Sequence, residues 1–331
     1  MDTRVVQAQQ QGVYEQAAQM LRDGELVAFP TETVYGLGAV ATDEQAVAKI
    51  FEAKGRPSDN PLIVHIGTTE QVEQFAQPTA LAYRCMEAFW PGPLTLVMDV
   101  KENVLAQNVT AGLTTVGMRM PDHPVALALL KAAQAPIAAP SANRSGKPSP
   151  TRAQHVFDDL QNRIPLIIDG GRTGIGLEST VVDMTQTPPV ILRPGGVTKE
   201  MLTRVIGEVK EAKLTDAKEA PRAPGMKYTH YAPEAPVYLI EENPQKIAQA
   251  LAALADERVA LVAPASCKIE APIRISLGED IAANLYDALR ACDETDATLI
   301  LVTATSTGGV GSAIMNRLEK AAGGRWYQTT V

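Results

Sequence analysis

The sequence predicts an α/β protein with two domains, and three observations support this prediction. The chain has 331 residues, enough for two domains of roughly 100–200 residues each. Short apolar runs alternate with amphipathic stretches of helical period along most of it. Near residue 210 the alternation gives way to a segment rich in Lys, Glu, Ala and Pro, which is typical of a linker. We therefore predict a larger domain over 1–209, a linker over 210–235 and a smaller domain over 236–331.

The larger domain is predicted to alternate between strands and helices. An amphipathic helix over 13–22 ends at Asp23-Gly24, and a buried strand (Leu26 to Phe29) and a loop rich in Pro, Thr and Gly follow. Asp43 is predicted to cap a helix over 43–53. Further helices are predicted over 69–77, 79–90, 123–133, 153–161 and 197–209. Further strands are predicted at PLIVHIG, LTLVMDV, TTVGMRMP, APIAAP, LIIDGG, STVVDM and PVILRPG.

The smaller domain is predicted to be a parallel, doubly wound, Rossmann-like unit. Its strands VYLI, RVALVAP, IRISL and TLILVTA are interspersed with helices over 243–255, 279–292 and 312–322. Gly308-Gly309-Val310-Gly311 lies between the last strand and the last helix. It favours a tight turn, with phosphate binding at the helix N-terminus as the alternative.

Composition excludes several classes of function. The formal net charge is -8, with 8 basic and 12 acidic residues after residue 235 and 22 and 26 before it. Each part is thus near -4, which argues against a broad surface for nucleic acid or anionic membranes. Cys85, Cys267 and Cys292 show neither disulfide nor zinc spacing. With no secretory signal and no long apolar run, we expect a cytoplasmic protein that does not enter membranes.

Four short clusters carry side chains suited to chemistry. Lys54 and Arg56 flank a glycine after a helix, where they could hold a polyphosphate or simply satisfy the last helical carbonyls. Ser141 and Asn143 follow an apolar strand, in a loop that could bind a ligand or form only a turn. Arg119 lies in an otherwise apolar strand and must pair with either an internal acid or a substrate carboxylate.

The fourth cluster is Glu178-Ser179-Thr180, followed by Arg193 after the next strand. The chain has no GxxxxGK[ST] loop, no GxSxG motif and no pair of histidines at metal-ligand spacing. His65 lies in a predicted buried strand, where a core histidine is the simpler interpretation and a substrate contact the alternative.

These clusters occur together, in one order, in a known family. PTETVYGLG, KGRPSDNPL, TVGMRMP, PSANRSG, ESTVVD and LRPG resemble the YrdC-like domain of threonylcarbamoyl-AMP synthases. APGMKYTHYAP resembles the segment that joins this domain to a C-terminal domain in the long form of the enzyme. The resemblance covers the whole chain and implies a YrdC-like twisted mixed sheet with helices as the first fold.

The resemblance also implies a reaction in which L-threonine, bicarbonate and ATP give threonylcarbamoyl-AMP and pyrophosphate. Such an enzyme is a nucleotidyltransferase whose product serves the threonylcarbamoyladenosine modification of tRNA through separate transfer proteins. A weak direct contact with tRNA is compatible with it. Mg²⁺ is expected on the phosphates of ATP rather than on fixed protein ligands, and no organic cofactor is expected.

Site residues follow from the matching motifs. The threonine pocket is expected to be formed by Thr33, His65, Arg119, Ala139 and Ser179. ATP is expected to contact Arg56, Asn60, Thr115, Ser141, Asn143, Ser149, Arg193 and Tyr231, with Tyr231 closing over the nucleotide as a lid. The positive charge that assists catalysis is assigned to Lys54, Arg56, Arg119 and Arg193. No nucleophilic side chain is needed, because catalysis rests on positioning and charge.

Two alternatives use the same residues. A double-stranded RNA or ribosome-binding module could use the same basic cavity, although net acidity in both parts of the chain opposes it. A carbamoyl-transfer enzyme with a YrdC-like module would carry zinc-finger cysteines, which this sequence lacks.

Overall fold

The computed structural model describes residues 1–212 and 231–328, which form two compact units. The first contains Met1–Ser145 and continues from Pro150, and the second contains Gly146–Ser149 and the described residues from Tyr231 onward. Most of the predicted linker, 213–230, lies outside the described residues. Within the described ranges, none of the helices combines the length and the apolar character needed to cross a membrane.

The first unit is built on a 12-stranded sheet. Its strands are β1 (Arg4–Gln7), β2 (Val27–Pro30), β3 (Tyr35–Val40), β4 (Ile63–His65), β5 (Ala76–Gln77), β6 (Leu94–Val100), β7 (Thr115–Arg119), β8 (Ile137–Ala138), β9 (Leu166–Asp169), β10 (Thr180–Asp183), β11 (Val190–Arg193) and β12 (Lys210–Glu211). Its helices are α1 (Val13–Arg22), α2 (Glu44–Lys54), α3 (Val72–Phe75), α4 (Ala80–Phe89), α5 (Gln107–Thr110), α6 (Pro124–Ala133), α7 (Ala153–Leu160) and α8 (Lys199–Ile206).

Strand pairing makes this sheet mixed, as the resemblance implies. The order is β1-β9-β2-β3-β8-β4-β7-β6-β10-β11-β12, with β5 added beside β6. Parallel pairs (β4 with β7, β6 with β10) stand next to antiparallel pairs (β4 with β8, β6 with β7, β10 with β11). The strands β4, β7, β6, β10 and β11, which come from residues 63–193, are therefore consecutive in the sheet.

The two faces of the sheet bury different cores. Because side chains alternate across a strand, Ala28 joins a large core with Ile50 of α2 and Met86 of α4. Its neighbours on β2, Val27 and Phe29, face the other way and pack against α1 and α6. This second core covers only one end of the opposite face.

β3 corrects one prediction, because the stretch expected to be a loop with glycines is a buried strand. Glycine has a low propensity for strands, which made this stretch look like a turn. A Cβ on Gly38 would lie 2.9 Å from both Ile137 Cγ2 and Phe29 Cε1, so close packing requires the glycine.

Other elements are shorter than predicted or were missed. The helix predicted over 69–77 is a 3-10 turn (Thr69–Gln71), α3 and β5, and the one predicted over 197–209 is α8. β1 was not predicted, because its hydrogen bonding depends on a partner more than 150 residues away, β9. The first two residues of the predicted linker form β12, which pairs with β11.

The second unit confirms the predicted parallel α/β fold. Its strands β13 (Val237–Ile240), β14 (Val259–Ala263), β15 (Ile273–Ser276) and β16 (Leu299–Thr303) are all parallel, in the order β13-β16-β14-β15. They are interspersed with α9 (Pro244–Ala253), α10 (Ile281–Asp293) and α11 (Gly311–Ala322).

The glycine segment before α11 is a tight turn. The N–H groups of Gly311 and Ser312 donate to the carbonyls of Gly308 and Gly309, at 3.0 and 3.4 Å. A Cβ on Gly311 would lie 2.0 Å from the carbonyl oxygen of Ser306. These contacts support the turn interpretation, because two N–H groups that an anion would need are already in use.

We expect Asp43→Ala to lower the free energy of unfolding by about 1 kcal/mol. Asp43 caps α2 as predicted, and its carboxylate accepts hydrogen bonds from the backbone N–H groups of Gln45 (2.9 Å) and Ala46 (3.0 Å). Equilibrium urea unfolding measures the loss. Asp43→Asn is the control, since Asn caps helices as well as Asp does, and an equal loss in both variants would contradict the capping role.

Candidate active site

β7 is the central strand of the candidate site. Val116 and Met118 point into the large core, so Thr115, Gly117 and Arg119 point to the opposite face. Thr115 and Gly117 are partly exposed there, whereas Arg119 is buried. A Cβ on Gly117 would lie 3.2 Å from Thr95 Cγ2 of β6, and this glycine therefore keeps the face flat beside the arginine.

The guanidinium of Arg119 is held from three sides. Nε donates to the carbonyl oxygen of Gly92 (3.2 Å) and Nη1 to Thr33 Oγ1 (3.0 Å). Nη2 forms an ion pair with Glu32 Oε1 at 2.6 Å, although the angles do not satisfy a hydrogen bond. The sequence left open whether Arg119 pairs with an internal acid or a substrate, and Glu32 is that internal acid.

His65 and Arg119 are paired residues on the parallel strands β4 and β7. The imidazole Nδ1 lies 3.3 Å from the carbonyl oxygen of Ile63, and the ring meets Phe29 edge-on with centroids 6.4 Å apart. Burial, with a further contribution from the charge of Arg119, lowers the pKa of His65 to about 3. A neutral imidazole therefore stands beside the cation at neutral pH.

A second cation lies two strands beyond β6. Arg193, at the end of β11, donates from Nε to the carbonyl oxygen of Ser179 (3.1 Å) and from Nη2 to Ser179 Oγ (3.1 Å). The hydroxyl of Ser179 lies 2.8 Å from that of Thr95. Thr95 lies on β6, which pairs with β7. The contact between the two hydroxyls therefore connects Arg193 to the strand next to the one that carries Arg119.

Lys54 organises the loop after β8. Its buried ammonium donates to the carbonyl oxygens of Ser141 (2.5 Å) and Asn143 (2.6 Å), and its own carbonyl accepts from the N–H of Ser145 (2.9 Å). Ser141 also pairs with Gly36 of β3. The sequence assigned Lys54 to charge stabilisation, and the structure shows that it also fixes the backbone of this loop.

The remaining predicted residues of the first unit lie next to β4, in the loop between α2 and β4, and on β7. Ala139 is buried and donates its N–H to Ile63 (3.0 Å), which places it beside β4. Arg56 Nη2 lies 3.5 Å from the carbonyl oxygen of Asn60, whose buried Oδ1 has no hydrogen-bond partner among the described residues. Thr115 is four residues from Arg119 on the same face of β7, which is about 13 Å.

Two predicted residues belong to the second unit. Ser149 is fully buried in the segment Gly146–Ser149. Tyr231 has a left-handed backbone (φ 68), and its ring packs against that of Tyr286, with centroids 5.3 Å apart. The guanidinium of Arg317 lies 5.9 Å from the centroid of the Tyr231 ring. The lid role of Tyr231 remains a prediction.

Sequence reasoning missed several residues that complete the site: Glu32, the Gly92 carbonyl, Thr95 and Gly117. Alternation along TTVGMRMP was the available signal for Gly117, since it shares a face with Arg119. Glu32 lies inside the PTETVYGLG motif beside Thr33. Its contact with Arg119 spans 87 positions of sequence and could not be read from spacing.

We expect the His65→Gln variant to lose less stability on acidification than the unaltered protein. The pKa of His65 is about 3 in the folded state against an ordinary value of 6.5, so between these values the unfolded chain binds the extra proton. The contribution of His65 to the free energy of unfolding is complete above about pH 6.5. It decreases toward pH 3, by up to about 1.4 kcal/mol per pH unit. Urea unfolding of both proteins across this range measures it, and parallel curves would refute the buried neutral state.

Comparisons with known proteins agree with this site. A family model described as "Telomere recombination" matches residues 19–195, and one described as "Threonylcarbamoyl-AMP synthase, C-terminal domain" matches residues 197–323. The chain is 53% identical over 322 residues to the threonylcarbamoyl-AMP synthase of Bacillus subtilis, covering 94% of this chain and 93% of the relative. It is 50% identical to the synthase of Pyrococcus abyssi, covering 93% and 94%.

A solved structure extends the similarity to the whole fold. The crystal structure of P. abyssi Sua5 complexed with L-threonine has a TM-score of 0.94 and 46% identity, covering 99% of this chain and 100% of that one. The alternative of an RNA-binding module is not favoured, because these relatives are named as synthases. With both family models matched and similarity over nearly its full length, the chain belongs to the threonylcarbamoyl-AMP synthase family of enzymes, in its long, two-domain form.

Proposed function

We propose that this chain joins L-threonine, bicarbonate (or the CO₂ derived from it) and ATP into threonylcarbamoyl-AMP and pyrophosphate. The observation that carries the proposal is the set of cations and hydroxyls that β4, β7, β6, β10 and β11 bring together in the first unit. The names of the relatives support the reaction, and the P. abyssi complex supports threonine as the amino acid.

Arg119 is proposed to bind the carboxylate of threonine. Its planar fork suits a carboxylate, and burial strengthens the interaction. Thr33, which accepts from Arg119, and Ser179 are proposed to contribute hydroxyl groups, and Ala139 is proposed to contribute backbone. Neutral His65 can exchange a hydrogen bond with the threonine hydroxyl without repelling Arg119, which a protonated imidazole would do.

ATP is proposed to be bound by the residues that remain. Arg56 and Arg193 would contact phosphate oxygens, with Asn60, Thr115, Ser141, Asn143, Ser149 and Tyr231 contacting the rest of the nucleotide. Lys54 is proposed to act mainly by holding the 141–143 backbone in place, because its ammonium already donates to two carbonyls there. In this proposed role, Lys54 supports the loop and does not itself contact a phosphate.

The chemistry needs positioning more than a nucleophilic side chain. The neutral amine of threonine attacks the carbon of CO₂ or bicarbonate, a C–N bond forms, and a proton leaves the nitrogen, with water released when bicarbonate is the donor. A carbamate oxygen then attacks the α-phosphorus of ATP and pyrophosphate departs, which makes the enzyme a nucleotidyltransferase. The threonine carboxylate, the carbamate and ATP carry negative charge, so fixed cations are expected to contribute most to the acceleration of the reaction.

Mg²⁺ is proposed to enter with ATP. Among the described residues, no group of three or more His, Cys, Asp or Glu side chains is arranged to hold a metal ion. The candidate site instead presents cations, hydroxyls and amides, a donor set that fits a metal held by phosphate oxygens. When bound, Mg²⁺ would neutralise charge on the phosphates.

The product is proposed to leave for other proteins. Threonylcarbamoyl-AMP is a small mixed anhydride, and separate transfer proteins would move its threonylcarbamoyl group to tRNA. The chain's net charge of -8 supports transfer elsewhere, with at most a weak tRNA contact here. The cytoplasm is the compartment in which these partners would meet.

The proposal predicts pyrophosphate release that depends on threonine. We expect turnover with ATP, Mg²⁺, bicarbonate and L-threonine, and none when any of the four is omitted or when Mg²⁺ is chelated. Pyrophosphate is measured with a coupled assay and the adenylate by mass spectrometry. Pyrophosphate release that is independent of the amino acid, or RNA retention without turnover, would contradict the proposed reaction.

We expect Arg119→Lys to raise the KM for threonine about 10- to 100-fold while the KM for ATP changes less than about twofold. Lysine keeps the charge opposite Glu32 but loses the fork, and one charge-assisted hydrogen bond is worth about 1.5–3 kcal/mol. Arg22→Lys, at an exposed position on α1, is the matched control. Equal effects on both KM values would contradict the carboxylate assignment.

A further inference from the structure

The hydrogen bonding of the buried Glu32 carboxylate is less complete than in an ordinary structural ion pair. Only 11% of its side chain is exposed, and both carboxylate oxygens are buried without a hydrogen-bond partner among the described residues. Its contact with Arg119 Nη2 is close, at 2.6 Å, but it is not aligned as a hydrogen bond. A structural Arg–carboxylate pair normally aligns into one or two parallel hydrogen bonds. Buried acceptors left in this state call for an explanation, and a ligand is one.

The backbone around Glu32 is firmly held, so the carboxylate is placed by its turn. The carbonyl oxygen of Glu32 accepts from the N–H of Ile175 at 2.8 Å. Thr31 Oγ1 accepts from the N–H groups of Thr33 (3.2 Å) and Val34 (3.3 Å), which closes the turn on both sides. The carboxylate is therefore presented beside Arg119 by the main chain.

His123 interacts with Glu32 but does not provide a permanent second positive charge opposite its carboxylate. Burial lowers the pKa of His123, and this outweighs the opposite effect of the Glu32 carboxylate. Among the described residues, Arg119 is the cation in contact with Glu32, and it also donates to Thr33 and Gly92. Glu32 keeps acceptor capacity that these contacts do not use.

We propose that Glu32 binds the α-amino group of the amino-acid substrate while Arg119 binds its carboxylate; this inference rests on the proposed function. A zwitterionic amino acid carries opposite charges on adjacent carbons, and Glu32 and Arg119 present the complementary pair side by side. Arg119 alone would accept many carboxylic acids, whereas an acceptor pair beside it selects those that carry an amine. The same oxygens can accept from the neutral amine, so the contact persists when the nitrogen attacks.

The test compares two ligands on one protein. L-threonine and 3-hydroxybutanoate share the carboxylate and the hydroxyl, but only threonine has the amine. Their affinities are measured by equilibrium displacement of radiolabelled threonine from the full chain. We expect Glu32→Gln to weaken threonine binding about 10- to 100-fold, as for a lost charge-assisted hydrogen bond, and to change 3-hydroxybutanoate binding less than about threefold. Glu25→Gln, which removes a partly exposed acid paired with Lys49, should change neither.

The ratio of the two affinities is independent of the folded fraction, so partial destabilisation of Glu32→Gln does not obscure it. If that variant does not fold, Glu32→Asp keeps the charge opposite Arg119 but withdraws the oxygens by about 1.5 Å. It should still reduce the preference for threonine. Equal weakening of both ligands, or an unchanged preference, would overturn the role of Glu32. Failure of the unaltered protein to bind threonine would instead refute the proposed function.

Discussion

The buried guanidinium of Arg119 is the interaction on which the candidate site depends. A cation that is only 4% exposed must be compensated, and the surrounding chain is arranged to do so. The carbonyl of Gly92, the hydroxyl of Thr33 and the carboxylate of Glu32 all converge on it, and its charge helps keep His65 neutral. One arginine therefore orients the groups nearest to it and adds to the effect of burial that keeps His65 neutral.

Carbonyl oxygens orient the buried cations of this unit. Arg119 donates to Gly92, Arg193 to Ser179, and Lys54 to Ser141 and Asn143. A carbonyl oxygen orients a cation through a partial charge, and at Arg119 the carboxylate of Glu32 adds a full counter-charge. In a chain with a net charge of -8, gathering these cations in one unit can concentrate positive potential there. Such fixed charges need no reorganisation when an anionic transition state forms.

The sheet explains why residues from such distant motifs can act together. The order β4-β7-β6-β10-β11 makes spatial neighbours of strands as far as 86 positions apart, as in the pairing of Leu94 with Thr180. Parallel and antiparallel pairing bring the ends of these strands to one region, and alternation sends Thr115, Gly117 and Arg119 to one face. The large core on the other face supplies the rigidity that such positioning requires.

The sequence by itself determined the elements with strong local signals, such as α2 with its Asp43 cap, the parallel α/β character of the second unit, and the motifs that identify the family. Those features depend on residues close together in the chain. Only the tertiary structure decided the rest. β3 is a strand despite its glycines because Phe29 and Ile137 leave no room for larger residues, and Lys54 holds a loop 87 positions away. The pairing of Glu32 with Arg119 depends on the register of strands that no local pattern encodes, because hydrogen bonding between distant strands sets which side chains meet.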